Sequence, residues 1–223
     1  MEIAVNGITL YYEVLGSGSP LLMIHGNGED HTIFAEAAEI LKNYFTVYLI
    51  DSRGHGQSSP VSQYHYSDMA DDLKAFITQL GLTDVTYYGF SDGGILGLLL
   101  ASQTDLCKQY ILSGTNFSPN GVKPSLGLML RVMNLFKKDP LFTLMLTEPN
   151  ISAEELAAVH APVNQLAGTK DLIREAHTKK LQNMIPGSTL ELLPGRTHGS
   201  YIVHSTEIAE LILRYSGKAG LQE

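Results

Sequence analysis

Apolar positions along this chain follow two rhythms, and the alternation between them marks out the elements. Short apolar runs bounded by turn residues read as strands: Ile3–Val5, Ile8–Val14, Pro20–Ile24, Phe45–Ile50, Val85–Tyr88, Lys108–Ser113, Val163–Ala167 and Thr189–Leu193. Between them the apolar spacing becomes helical. Ile33, Phe34, Ala37, Ile40 and Leu41 place a helix over 30–43. A second is expected from near Ser67, a candidate N-cap, to Leu80 before Gly81. A third follows Gly94, and others are expected near 172–184 and 205–215, with the tail 216–223 frayed. Asn6-Gly7 between the first two runs is a hairpin signal, so these strands should form an antiparallel edge. Strands alternating with helices elsewhere predict an α/β fold, a mostly parallel sheet with helices on both faces and right-handed crossovers.

The alternation breaks after Asn116 and resumes at Val163. Residues 117–160 hold no clear strand, and Leu126–Phe136 is apolar except for Gly127, Arg131 and Asn134. With Lys138 these form one narrow polar stripe on a greasy helix, which therefore needs cover on both sides. Met129, Met133 and Met145 fall here, and flexible thioethers suit a surface that adapts to a ligand. Met129 and Met133, with the stretch Leu141–Leu146, are the expected substrate-binding side chains. Ser152-Ala153-Glu154-Glu155 reads as a capping box opening a short helix. The predicted organisation is a core of 1–116 and 161–223 with a small helical insertion at 117–160.

Composition narrows the class. A chain of 223 residues with 44% hydrophobic and 17% charged residues is one globular domain. The net charge of −8 argues against nucleic acid or an anionic membrane as partner. Neither a signal-peptide core nor an 18-residue apolar span is present, so a cytoplasmic location is expected. Cys107 is the single cysteine and cannot form an internal disulfide. No metal-binding spacing occurs, and Gly26-Asn27-Gly28 lacks the rest of a dinucleotide fingerprint, so no cofactor or metal is expected.

The chemistry gathers at the strand ends. Gly89-Phe90-Ser91-Asp92-Gly93 lies between a strand and an apolar helix. A serine at the tip of so sharp a turn is strained, and only small residues fit two positions either side. Ser91 needs a base to become a nucleophile. His198, after the last strand, can serve, and Asp171, after the preceding strand, can orient its ring. His204 and Glu175 are weaker rivals for these roles. The backbone N–H groups of Asp92 and Asn27 are candidate oxyanion donors. The Asp92 side chain, beside the nucleophile, could select a cationic substrate group or simply favour a helix start. His25, His55, Asp51 and Arg53 read as struts of their loops.

These motifs together resemble the α/β-hydrolase superfamily over nearly the whole chain. The resemblance rests on His25-Gly26, Asp51-x-Arg53-Gly54-His55-Gly56-x-Ser58, the Gly89–Gly94 turn, Gly168-x-x-Asp171 and the late His198. It implies about eight strands, the Ser91, Asp171 and His198 chemistry, and a cap after the sixth strand. The expected activity is serine hydrolysis of a small, largely apolar ester, thioester, lactone or amide through an acyl-enzyme. Acyl transfer, C–C bond hydrolysis or a non-enzymatic small-molecule sensor remain open on the same scaffold. The expected partner is a small acyl substrate, bound by a monomer or homodimer. Asn164-Gln165 in an otherwise apolar strand, the lack of Trp and the carboxylate at Asp92 depart from the family pattern.

Overall fold

Eight strands form one sheet in the order β1-β2-β4-β3-β5-β6-β7-β8 in the computed structural model, which describes residues 1–218. β1 (Glu2–Val5) and β2 (Ile8–Leu15) are antiparallel, and β2 runs antiparallel to β4 (Phe45–Ile50). β3 (Ser19–Ile24), β5 (Val85–Phe90), β6 (Cys107–Ser113), β7 (Val163–Lys170) and β8 (Thr189–Thr197) continue in parallel. Asn6 and Gly7 both take positive φ, as a two-residue hairpin turn requires.

The pleat sends alternate side chains to two cores. Leu22 and Ile24 pack with α2 (Tyr66–Gln79) and α3 (Asp92–Gln103) on one face. Leu21 and Met23 pack with α1 (Ala35–Leu41) and α8 (Glu207–Tyr215) on the other. Asp92 through Ala101 is buried without a break, which explains why α3 carries no polar face. The switch in strand order lies at β3 and β5, and at their carboxyl ends a crevice opens.

Between β6 and β7 the chain forms α4 (Pro124–Lys137), α5 (Pro140–Thr147) and α6 (Ala153–Ala157), the last opened by the Ser152–Glu155 capping box. Only Leu130 of α4 is fully buried. Leu128, Met129, Val132, Leu135 and Phe136 are exposed, so the expected cover on both sides is absent among the described residues. Asn134 of the polar stripe instead turns inward, donating to Thr143 Oγ1 on α5.

Other boundaries differ from the expected ones because of specific hydrogen bonds, most of them to distant residues. The helix expected over 30–43 opens as a 3₁₀ turn, His31–Phe34, because Asp30 accepts the Thr32 N–H and Asp51 accepts that of His31. α2 begins at Tyr66, and Ser67 caps nothing. The Tyr66 N–H donates to Glu148, 82 positions along the chain, a partner no local pattern reveals. β7 and β8 run on to Lys170 and Thr197, which pair with each other, so α7 (Glu175–Met184) starts three residues late. Gln165 is buried in β7, and among the described residues its side chain makes only a long contact to Ser188. The expected fraying of 216–223 falls partly outside the described residues; within them, Lys218 lies over the Phe45 ring and donates to the Tyr44 carbonyl. No helix among the described residues is long and apolar enough to cross a membrane.

Candidate active site

Ser91 occupies the turn from β5 to α3 at φ 52° and ψ −111°, a conformation L-residues rarely adopt. The turn is held by Ser91 N–H to the Ser113 carbonyl at 2.8 Å and Gly93 N–H to the His25 carbonyl at 3.1 Å. A side-chain carbon at Gly89 would collide with the Gly93 carbonyl, and one at Gly93 with the Ile24 carbonyl. Sterics thus explain the glycines flanking the serine.

The loops after β7 and β8 bring two more residues to this turn. His198 Nε2 is 3.0 Å from Ser91 Oγ, and His198 Nδ1 is 2.7 Å from Asp171 Oδ1. Asp171 is buried, and burial alone would raise its pKa. The hydrogen bond and charge of His198, with the Ile173 N–H donating at 2.9 Å, outweigh this and lower it. Its other oxygen has no partner among the described residues. Phe90 packs its ring 5.0 Å from that of His198, limiting where the imidazole can swing. A hydroxyl, an imidazole and a carboxylate so linked can take up and return the hydroxyl proton.

A cavity of about 290 Å³ lies over Ser91 and His198. Val122, Leu126, Phe142, Met145, Leu172 and Ile173 form its apolar wall. Asn27, Glu29, Tyr66, Asp92, Asn116 and Glu148 form the polar one, and no lysine or arginine lines it. The Asn27 backbone N–H has no acceptor among the described residues. That of Asp92, first in α3, has none within the helix.

Met129 and Met133 do not line this cavity. Met129 is 49% exposed, and Leu126 is the only α4 residue among those lining the cavity. Met145 and Phe142, in the Leu141–Leu146 stretch, do reach it. The Asp92 carboxylate is 4% exposed and already bonded, accepting from Asn27 Nδ2 and Tyr66 Oη, each at 2.9 Å. Burial raises its pKa against those two bonds. Glu29, Tyr66, Asn116 and Glu148 escaped sequence reasoning, since each belongs to a loop or element end with no motif of its own.

The rival residues lie elsewhere. His204 is exposed with Nδ1 3.3 Å from Glu36, and Glu175 pairs with Lys179 on the surface. His25 is buried, Nδ1 donating to the Gly26 carbonyl and Nε2 accepting the Ser52 N–H. His55 likewise joins the Arg53 carbonyl to the Gly28 N–H. Asp30, His31 and Asp51 come close enough to hold a metal ion, but Asp51 already accepts from His31 Nδ1 and from the His31 and Gln57 N–H groups. Arg53 grips Asp72 through two hydrogen bonds.

A mixed sheet with its strained serine turn after β5 and a helical insertion after β6 defines the class of protein. The family model for the alpha/beta hydrolase fold matches residues 19–217, and the chain belongs to that family. It is 29% identical to the AB hydrolase superfamily protein YisY of Bacillus subtilis, over 94% of this chain and 96% of that one. It is 26% identical to the mouse serine hydrolase BPHL, over 95% and 84% of the two chains. An esterase from Exiguobacterium antarcticum superposes with a TM-score of 0.79 at 23% identity, covering 96% of this chain and 97% of that one.

Proposed function

We propose that this protein is a serine hydrolase that cleaves a small, largely apolar carboxylic ester, or a related thioester, lactone or amide, through an acyl-enzyme. The observation that carries this reading is the hydrogen-bonded chain Ser91–His198–Asp171 at the wall of the cavity. In this mechanism His198 takes the Ser91 proton as Oγ attacks the acyl carbon. Asp171 stabilises the imidazolium, and the Asn27 and Asp92 N–H groups receive the oxyanion. His198 then protonates the leaving group. Water repeats the sequence to release the acid.

Residues 117–160 act as a small cap, since Val122, Leu126, Phe142 and Met145 roof the cavity. The volume suits a short acyl group. Three carboxylates and no cation among the lining residues disfavour an anionic one. The relationship to a serine hydrolase and the likeness to an esterase support the same chemistry.

A fluorophosphonate probe tests the reading. Stoichiometric labelling of the wild type, lost in Ser91→Ala, with turnover of p-nitrophenyl acetate or butyrate, is the expected result. Retention of small molecules with neither labelling nor turnover would instead mark a binding protein.

A further inference from the structure

The two N–H groups proposed to receive the oxyanion belong to residues whose side chains are bonded to each other. Asn27 Nδ2 donates to Asp92 Oδ2 at 2.9 Å across 65 positions of chain. Tyr66 Oη donates to Asp92 Oδ1 at 2.9 Å. A carboxylate serving only the helix dipole would face the free N–H groups of its own first turn. Here both oxygens are taken by side chains from other elements, and the residue is 4% exposed.

The linkage extends outward. The backbone N–H of Tyr66 donates to Glu148 Oε2 at 3.0 Å, and His65 Nδ1 lies 2.7 Å from Glu148 Oε1. Glu148 follows α5, whose Phe142 and Met145 roof the cavity. Hydrogen bonds at both ends of Tyr66 thus connect Glu148, beside the cavity roof, to Asp92 and through it to Asn27.

We propose that Asp92 is a positioning residue: through Asn27 its carboxylate holds the two oxyanion N–H donors in register, and through Tyr66 and Glu148 it ties that register to the helices roofing the cavity. This rests on the serine-hydrolase reading above. Preorganised donors lose effect steeply when misdirected. Deleting a single donor costs about 10²–10³ in kcat, so tilting one costs part of that. The Asp92 side chain does not itself touch the reacting atoms.

Exchanging the two side chains tests this. Asp92→Asn leaves one acceptor oxygen for two donors, Asn27 Nδ2 and Tyr66 Oη, and Asn27→Asp sets two carboxylates together. In Asn27→Asp/Asp92→Asn, residue 92 donates to residue 27 and the contact is restored with reversed polarity. Each single variant is expected to lower kcat for p-nitrophenyl acetate roughly 10–100-fold, with KM within about twofold. The fluorophosphonate labelling rate should fall in parallel, because the phosphoryl oxygen occupies the same donors. The double variant should recover most of both. Tyr66→Phe should lower kcat by a smaller factor at unchanged KM. A double variant no faster than the worse single one, or single variants with wild-type kcat, would overturn the proposal. If Asp92→Asn does not fold, unchanged kcat in Tyr66→Phe overturns it instead. Wild-type protein that neither labels nor turns over ester sinks the hydrolase reading itself. Normal wild-type labelling with an unaffected Asp92→Asn sinks only the positioning role.

Discussion

In the proposed mechanism Ser91, His198 and Asp171 act as one unit, linked by the Ser91–His198 and His198–Asp171 hydrogen bonds. Ser91→Ala and His198→Ala are each expected to lose roughly 10³-fold or more in kcat, and the double variant little beyond that. Steady-state rates on p-nitrophenyl acetate check this. Strictly additive losses would separate the two residues. The substrate's charge also belongs at this scale. Asp92 is satisfied by Asn27 and Tyr66, whereas Glu29 lines the cavity with Oε2 accepting the Gly26 N–H and Oε1 unbonded among the described residues. Matched neutral, amino and carboxylate acyl esters should therefore rank with the carboxylate slowest. Glu29→Gln should narrow the gap, and an unchanged ranking would free the substrate of any contact with that carboxylate.

Among the elements, α4 and α5 divide their labour differently from the pattern of their residues. α4 turns Met129, Val132 and Phe136 outward, while α5 sends Phe142 and Met145 into the cavity. Phe142→Ala is expected to shift acyl preference toward longer chains, since it removes a ring from the roof. Met129→Ala should leave the chain-length profile unchanged, at a stability cost within about 0.5 kcal/mol for an exposed position. A p-nitrophenyl ester series from acetate to octanoate reads both. A Met129→Ala profile that moves with that of Phe142→Ala would return α4 to the pocket.

For the molecule as a whole, two buried neutral histidines bear on acid stability. Burial lowers the pKa of both His25 and His177 from 6.5 to about 4. Each ring accepts a backbone N–H at Nε2, from Ser52 and from Phe117, and protonation would destroy that acceptor. Between these values the unfolded chain binds more protons than the folded one. Stability from these groups is therefore present above about pH 6.5 and is lost as pH falls toward 4. For His25 the full shift corresponds to about 3 kcal/mol. Asp92 and Glu29, whose pKa values are raised by burial, act in the opposite sense over the acid range. The informative quantity is thus the difference between wild type and His177→Gln, whose amide oxygen can still accept from Phe117. The Tm of the variant should fall less than that of the wild type between pH 7 and 4.5. Parallel curves would show that His177 does not take up its proton on unfolding.

Local pattern sufficed where local physics decides. Short apolar runs bounded by turn residues located the strands, Asn6-Gly7 the hairpin, and Gly89-x-Ser91-x-Gly93 the strained turn, because each depends on neighbours within a few residues. The same reading named Ser91, Asp171 and His198 as candidates, which follow β5, β7 and β8, and from β5 onward chain order is spatial order in the sheet. It misjudged what depends on distant partners. Hydrophobicity alone could not say which side of α4 would be covered, since that is set by how the helix meets α5. Nor could it foresee that Glu148 would start α2 or that Asn27 and Tyr66 would occupy Asp92. Those contacts join residues 82, 65 and 26 positions apart, and only the folded chain brings their donors and acceptors within hydrogen-bonding distance.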